Sequence, residues 1–199
     1  MTLTSSIQEA KDFTLWLHEH INEKKISVGR REQTGLSILQ QSLDLDDAII
    51  ILLEAHLPGP ALALARPLFE SYVRGYWLLN CATDEEVEVF LQGKCPNFEG
   101  LLKKIDNEAE SGGAWIHANK AANLKSFHDL THGGSEHVKR RTTLKSIEPN
   151  YPEQELASLL TFGIEIRIRI GAELLSRTEN EDALKQLNEK ATTYRITNP

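Results

Sequence analysis

Cysteine and long apolar runs are both scarce in this sequence. Cys81 and Cys95 are its two cysteines, and their spacing matches no metal-binding or redox motif. We interpret them as thiols of a reduced, cytoplasmic protein, with a single disulfide as the alternative. The first residues, MTLTSSIQEAKDF, have neither a basic start nor an apolar run, so we expect no signal peptide. No uncharged stretch reaches the roughly 18 residues that a membrane-spanning helix needs, and we therefore predict no membrane partner.

Basic residues are also in deficit. The chain has 22 Lys and Arg against 29 Asp and Glu, which gives a net charge of −7. This balance argues against broad, non-specific binding to nucleic acid. A hydrophobic content of 40% and a charged content of 26% are ordinary for a globular protein. The length is sufficient for a full hydrophobic core, and we predict a single domain over residues 1–199.

Strand-like sequence is nearly absent. Residues 164–170, IEIRIRI, alternate apolar and charged side chains as a strand would, but no second candidate strand exists to pair with them. Elsewhere the apolar residues recur at helical spacing, so we assign this segment to a helix as well. The prediction is an all-α, single-domain bundle of about six or seven helices. It comprises an N-terminal helix at 7–24, a core bundle at about 32–177 around a central helix at 61–82, and a C-terminal helix at 180–191.

Local signals place the helix ends and the polar faces. Ser6 and Glu9 have the spacing of a capping box that opens the first helix. Pro67 lies inside the central helix and should kink it or reset its start, because proline lacks an N–H and clashes with the preceding turn. That break would leave a backbone carbonyl unbonded beside Arg66. In the segment at 32–57 we expect three aspartates to face solvent: Asp44, Asp46 and Asp47.

A charged stripe interrupts the central helix, which is otherwise apolar on nearly every side. Arg66, Glu70 and Arg74 recur every four residues and therefore share one face. Charges in such a helix need partners, because an unpaired buried charge costs several kcal/mol. The functional hypothesis is that both arginines bind a phosphate or carboxylate through forked hydrogen bonds while Glu70 orients them. The alternative is a structural charge ladder paired with a second triplet, Glu165, Arg169 and Glu173.

A second polar cluster precedes a glycine-rich turn. His128 and His132 are four residues apart and flank Asp129. One hypothesis gives a histidine a general acid–base role that Asp129 tunes. The evidence for metal binding by the two histidines is weaker, because no third ligand follows at a suitable spacing. We accordingly expect no metal and no cofactor. The alternative is that Asp129 and His132 bond helix ends at the Gly133-Gly134 turn.

Basic residues follow this turn closely. Gly133-Gly134-Ser135 could cradle a phosphate with help from nearby cations. The competing interpretation is an ordinary solvated loop. The cations in question are Lys139, Arg140, Arg141 and Lys145.

Two motifs carry a family resemblance. Residues 65–78 contain Arg-Pro-Leu-Phe-Glu, and residues 129–134 contain Thr-His-x-Gly. With Pro58-Gly59-Pro60-Ala61, they resemble a bacterial all-helical family that is a domain of unknown function, over about residues 30–177. The resemblance implies an all-α fold and a bacterial source. The architecture is more distantly similar to HEPN domains of prokaryotic defence and toxin RNases. Those enzymes place a histidine a few residues after an arginine, a pair that this sequence lacks, so no catalytic residue is carried over.

Together these patterns predict one polar pocket. Its binding residues are Arg66, Glu70 and Arg74, and its candidate catalytic residues are His132, Asp129 and His128. The leading hypothesis is a binding or regulatory module for a phosphate-bearing small molecule or RNA, in a defence or toxin–antitoxin setting. The second is a metal-independent RNase or phosphodiesterase, with His132 as acid or base and the arginines stabilising the transition state. The third is a structural module that forms a homodimer.

Overall fold

The computed structural model describes residues 2–22, 26, 28–108, 113–178 and 180–197. These residues form ten helices and no β-strand beyond one isolated bridge between Thr142 and Ile147. The predicted all-α class is confirmed, although the helices are more numerous than expected. Their bounds are α1 Leu3–Ile21, α2 Arg30–Glu54, α3 Pro58–Ala63, α4 Ala65–Asn80, α5 Asp84–Leu91, α6 Phe98–Glu108, α7 Gly113–Thr131, α8 Ser135–Lys139, α9 Glu153–Leu175 and α10 Glu181–Thr197.

The chain divides into two compact units. The first comprises residues 1–27, 46–62 and 140–199, and the second comprises residues 28–45 and 63–139. The helix α2 contributes residues to both. The single-domain assignment of residues 1–199 stays a prediction. Of the helices that can be described, none has an apolar stretch long enough to cross a bilayer.

In the first unit, α9 is the central helix. Both α1 and α10 pack against it. The strand-like segment 164–170 lies within α9, which confirms the helical assignment. Its four isoleucines are buried because they belong to a helix that is covered on several sides, where an alternating pattern does not specify a strand.

In the second unit, α4 holds the central position and packs against α6 and α7. Two glycines bring α2 close to α4. A Cβ on Gly35 would lie 2.9 Å from the backbone nitrogen of Leu79, and a Cβ on Gly75 would lie 2.6 Å from Leu39 Cδ2. Both distances are too short for a real contact. The absence of side chains at these positions therefore allows the part of α2 before residue 46 to lie directly on α4.

Several predicted helix ends are wrong. The first helix begins at Leu3 with Thr2 as its N-cap, so Ser6 is a buried residue inside the helix and does not form the predicted capping box. The last helix stays helical to Thr197, beyond the predicted end at residue 191. By contrast, Thr83 does cap α5, through a reciprocal pair of hydrogen bonds with Glu86.

The predicted outward orientation of Asp46 is also wrong. Its side chain is buried and accepts hydrogen bonds from Arg167, which is itself fully buried in α9. Asp47 accepts a further bond from the same guanidinium, at 2.6 Å. A Cβ on Gly163 would lie 1.9 Å from Asp46 Oδ1, so the glycine makes room for this carboxylate. The helical pattern of α2 could not reveal this pair, because Arg167 follows Asp46 by 121 residues.

Candidate functional site

The charged stripe lies on α4, and its three side chains bond to one another. Glu70 accepts a hydrogen bond from Arg66 Nε at 2.7 Å on one carboxylate oxygen and from Arg74 Nη2 at 2.9 Å on the other. The four-residue spacing places each arginine one turn from the glutamate. Exposed fractions of 23% for Arg66, 18% for Glu70 and 33% for Arg74 show that the side chains reach solvent at their ends. One carboxylate thus fixes two guanidinium groups.

The surroundings of Glu70 favour its charged form. Burial raises the pKa of this carboxyl, but the hydrogen bonds and charges of Arg66 and Arg74 outweigh burial and hold the pKa below its ordinary value. The carboxylate is therefore ionised at neutral pH. It cannot act there as a proton donor, and its role in this geometry is to orient the two arginines.

The predicted central helix at 61–82 is interrupted at Leu64, between α3 and α4, and Pro67 explains why. A proline at position 67 cannot donate to the carbonyl of Ala63, four residues earlier. The Thr131 hydroxyl lies 3.1 Å from that carbonyl oxygen and 2.8 Å from the carbonyl oxygen of Phe127 in its own helix, and its one hydrogen can be donated to either acceptor. This contact joins the end of α7 to the last residue of α3, directly before α4. The helix restarts after Leu64, as expected of Pro67, but the expectation of an unbonded carbonyl is wrong, because the Ala63 carbonyl has the Thr131 hydroxyl within hydrogen-bond distance.

The contact between Thr131 and Ala63 lies next to the two histidines, which are close to the charged stripe. Arg66 Nη1 contacts His128 Nδ1, and the His128 and His132 rings lie 4.5 Å apart, centroid to centroid. A guanidinium can only donate, so Nδ1 of His128 is the acceptor in this contact. The ring nitrogens of His132 have no hydrogen-bond partner among the described residues. His132 is therefore the histidine left available to a ligand.

Asp129 points to a different neighbour. Its Oδ2 accepts hydrogen bonds from the backbone N–H of Glu136 at 2.6 Å and from the hydroxyl of Ser135 at 3.1 Å. The carboxylate thus caps α8, and Gly134 leaves room for it, since a Cβ there would lie 1.9 Å from Oδ1. This matches the capping alternative for the turn. The proposed tuning of a histidine by Asp129 stays a prediction without a supporting contact.

The glycine-rich turn already holds an anion from the chain itself. The Asp129 carboxylate occupies the position in which a phosphate would accept a hydrogen bond from the backbone N–H of Glu136. Gly133 has a φ of +71°, a conformation that favours glycine, and so serves the turn. Of the basic residues that follow, Lys139 pairs with Glu136 and Arg140 pairs with Glu155. These contacts favour a structural turn over a phosphate cradle.

A cleft opens beside the stripe. It has a volume of about 480 Å³, which lies in the range of small-molecule sites. Three helices line it. The residues are Ile38, Gln41 and Leu45 from α2, Arg66, Pro67, Glu70, Ser71 and Arg74 from α4, and Thr131 and His132 from the end of α7.

The contribution of α2 was missed from the sequence. Ile38, Gln41 and Leu45 follow a spacing of three and four residues and so share a helical face. In the sequence, this contribution was indicated by the polar Gln41 between two apolar residues on one face of the helix. It could not be interpreted without knowing that Gly35 and Gly75 bring this part of α2 onto α4.

Both arginines keep unused hydrogen-bond donors at the cleft. Within the described residues, Nη2 of Arg66 and both Nε and Nη1 of Arg74 have no acceptor. A guanidinium that is fixed on one side and unsatisfied on the other suits a planar or tetrahedral oxyanion. No three His, Cys, Asp or Glu side chains in the described part of the chain are grouped so that they could hold a metal ion.

The predicted pairing between the two charged triplets stays a prediction, because it joins residues of different units. Glu70 bonds both of its own neighbours on α4. Glu173 of α9 accepts a hydrogen bond at 2.8 Å from Arg177, which follows the end of that helix.

Comparisons with known proteins identify a family and no activity. No curated protein and no solved structure matches the chain. The family match covers residues 39–197, which include all of α4, the turn at His132-Gly133-Gly134 and most of the cleft. The predicted membership of a family of unknown function is confirmed, while the likeness to HEPN domains stays a prediction. The chain belongs to the family of unknown function DUF6988.

Proposed function

We propose that this protein is a binding module that recognises a phosphate-bearing ligand in the cleft beside α4. Arg66 and Arg74 bind the phosphate oxygens, and Glu70 holds both guanidinium groups in position. His132 adds a hydrogen bond from the adjoining turn. The defence or toxin–antitoxin setting remains an expectation from the resemblance described above.

The single observation that carries this proposal is the sharing of one carboxylate by two arginines whose remaining N–H groups open onto a cleft. Preorganised donors gain more from an anion than flexible ones, because less side-chain freedom is lost on binding. The cluster has two positive charges against one negative charge, so it retains attraction for an anion. We expect a dissociation constant of about 1 mM for inorganic phosphate, or roughly −4 kcal/mol.

Isothermal titration calorimetry with inorganic phosphate tests the proposal. Arg66→Ala and Arg74→Lys should each weaken binding about tenfold, because a lysine cannot reproduce the fork of a guanidinium. Arg30→Ala is the matched control, since Arg30 is an exposed arginine that pairs with Glu88 and does not line the cleft. Absence of phosphate binding by the unaltered protein would refute the proposal.

The same variants separate binding from architecture. If Arg66→Ala lowers only the midpoint of thermal unfolding and phosphate affinity is unchanged, the charges are structural. That result would support the third hypothesis, a structural module that forms a homodimer.

The contact of His128 with Arg66, and of the His132 ring with the His128 ring, favours one second candidate, a metal-independent RNase or phosphodiesterase. The ring nitrogens of His132 have no hydrogen-bond partner in the described part of the chain, and the residue lines the same cleft as the arginines. In this scheme His132 moves the proton while the arginines stabilise the charge on the phosphorus centre. Cleavage of RNA in the presence of a chelator, lost in His132→Ala, would establish the enzyme. No cleavage by the unaltered protein would remove this candidate.

A further inference from the structure

We infer that the cleft selects a phosphomonoester with an uncharged and largely apolar body, in preference to inorganic phosphate or a diphosphate. This inference rests on the proposed function and names the ligand class of the same site. It depends on the charge count, the apolar residues and the volume of the cleft.

The charge of the lining limits the charge of the ligand. Arg66 and Arg74 contribute two positive charges and Glu70 one negative charge, so the charged residues of the lining sum to +1. The pKa of Glu70 is held low by its arginines, so the carboxylate keeps this charge at neutral pH. Among the described residues that line the cleft there is no lysine. This charge of +1 offsets only part of the charge of about −1.5 to −2 that one phosphomonoester carries at pH 7. A second phosphate would add negative charge without meeting a further cation among the described lining residues.

The residues from α2 give the cleft an apolar wall. Ile38 and Leu45 are seven residues apart on one helical face, which corresponds to about 10 Å along the helix axis. Pro67 adds an apolar surface from α4. A wall of this length extends well past a phosphate group. It can bind the carbon body of an ester by removing apolar surface from water.

Gln41 lies on the same face between Ile38 and Leu45. Its amide has no hydrogen-bond partner among the described residues, although it lines the cleft. An amide can both donate and accept, so it suits a neutral polar group on the ligand body and gains nothing from a second negative charge. The lining thus separates into a cationic part on α4 and an uncharged part on α2.

The volume supports an organic body. About 480 Å³ corresponds to roughly 16 water molecules at 30 Å³ each. Inorganic phosphate would leave most of this space filled with water. A phosphomonoester with a six-membered ring would fill much more of it and displace water from the wall.

A ligand series on the unaltered protein tests the inference. Phenyl phosphate should bind about tenfold more tightly than inorganic phosphate, because its ring buries apolar surface against the wall. Pyrophosphate should bind no more tightly than inorganic phosphate. If inorganic phosphate binds but phenyl phosphate is no tighter, the inference is wrong and the proposed function stands. If pyrophosphate binds most tightly, charge decides the selection and the inference is also wrong.

One substitution locates the gain on the α2 wall. Leu45→Ala should reduce the advantage of phenyl phosphate about threefold and leave the affinity for inorganic phosphate unchanged. Gln40→Ala is the control, because Gln40 is an exposed neighbour on α2 that does not line the cleft. Equal effects of the two substitutions would contradict the assignment. If all phosphate compounds fail to bind, the proposed function itself has failed.

Discussion

Glu70 is the side chain on which the geometry of both arginines depends. Its two carboxylate oxygens are divided between Arg66 and Arg74. Without this negative charge, the guanidinium groups one turn before and one turn after residue 70 would repel each other, and their positions would be less fixed. The site is therefore sensitive to this residue even though Glu70 itself would repel an anion.

The first prediction concerns Glu70 and pH. Since the folded-state pKa lies below its ordinary value of 4.5, the stability that Glu70 contributes is present at neutral pH and is lost as pH falls below that value. Glu70→Gln should therefore lower the free energy of unfolding by about 2 kcal/mol at pH 7 and by much less near pH 3. Urea unfolding at several pH values measures this. The exposed Glu19→Gln serves as control, and a pH-independent loss would contradict the prediction.

The buried pair of Asp46 and Arg167 gives a second prediction. Burial raises the pKa of the Asp46 carboxyl, against the attraction of Arg167. Arg167→Met removes the partner and leaves a buried carboxylate, so the free energy of unfolding should fall by about 3–5 kcal/mol.

A matched exposed pair provides the comparison. Lys11 and Glu54 lie 2.7 Å apart with exposed fractions of 39% and 54%. Lys11→Met should cost less than about 1 kcal/mol, because water screens this pair. Equal costs for the two substitutions, measured by urea unfolding, would show that burial does not matter here.

Among the elements, the junction between α3 and α4 determines where the site lies. Pro67 removes a backbone donor, and the Thr131 hydroxyl of α7 lies within hydrogen-bond distance of the Ala63 carbonyl. The turn at His132-Gly133-Gly134 follows directly after Thr131. The Thr131 hydroxyl thus joins the break at Pro67 to the turn that carries His132.

The third prediction tests this junction. Thr131→Val should lower the free energy of unfolding by about 1 kcal/mol, because the carbonyl of Ala63 loses its partner. In a Pro67→Ala background the cost should be smaller, since the new N–H can bond that carbonyl. A double-mutant cycle with urea unfolding measures the difference. Thr34→Val is the control, because the hydroxyl of Thr34 bonds only within its own helix, to Arg30. An unchanged cost in both backgrounds would contradict the explanation.

For the whole molecule, the question is whether the two compact units unfold together. The helix α2 runs from Arg30 to Glu54 and passes from the second unit into the first. Unfolding either unit breaks a helix that the other also uses. We therefore expect one cooperative transition, in agreement with the predicted single domain.

The fourth prediction uses one variant in each unit. Gly35→Ala should destabilise the second unit, because overpacking against the Leu79 backbone costs about 1–3 kcal/mol while the helix gains only about 1 kcal/mol from alanine. Arg167→Met destabilises the first unit. Both should lower the same calorimetric transition, whereas Gly29→Ala should not, because its Cβ would meet Glu32 Oε2 at an ordinary contact distance of 3.9 Å. Two transitions that respond separately would establish independent domains.

The sequence by itself determined the helical class, the division of α9 from α10, and the grouping of Arg66, Glu70 and Arg74 on one face. Each of these depends on spacing within one helix, where 3.6 residues per turn relate sequence to position. The break at Pro67 was foreseeable for the same reason, since a missing N–H is a local property. Membership of a family of unknown function was also foreseeable, from two short motifs.

Only the tertiary structure decided the rest. Asp46 pairs with Arg167 across 121 residues, and Ile38, Gln41 and Leu45 reach the cleft because two glycines bring α2 onto α4. Asp129 turned out to cap α8, although the sequence placed it beside two histidines with equal justification. Helical periodicity states which residues share a face but not which helix that face meets. Contacts between distant segments are fixed by packing, and packing exists only once the chain has folded.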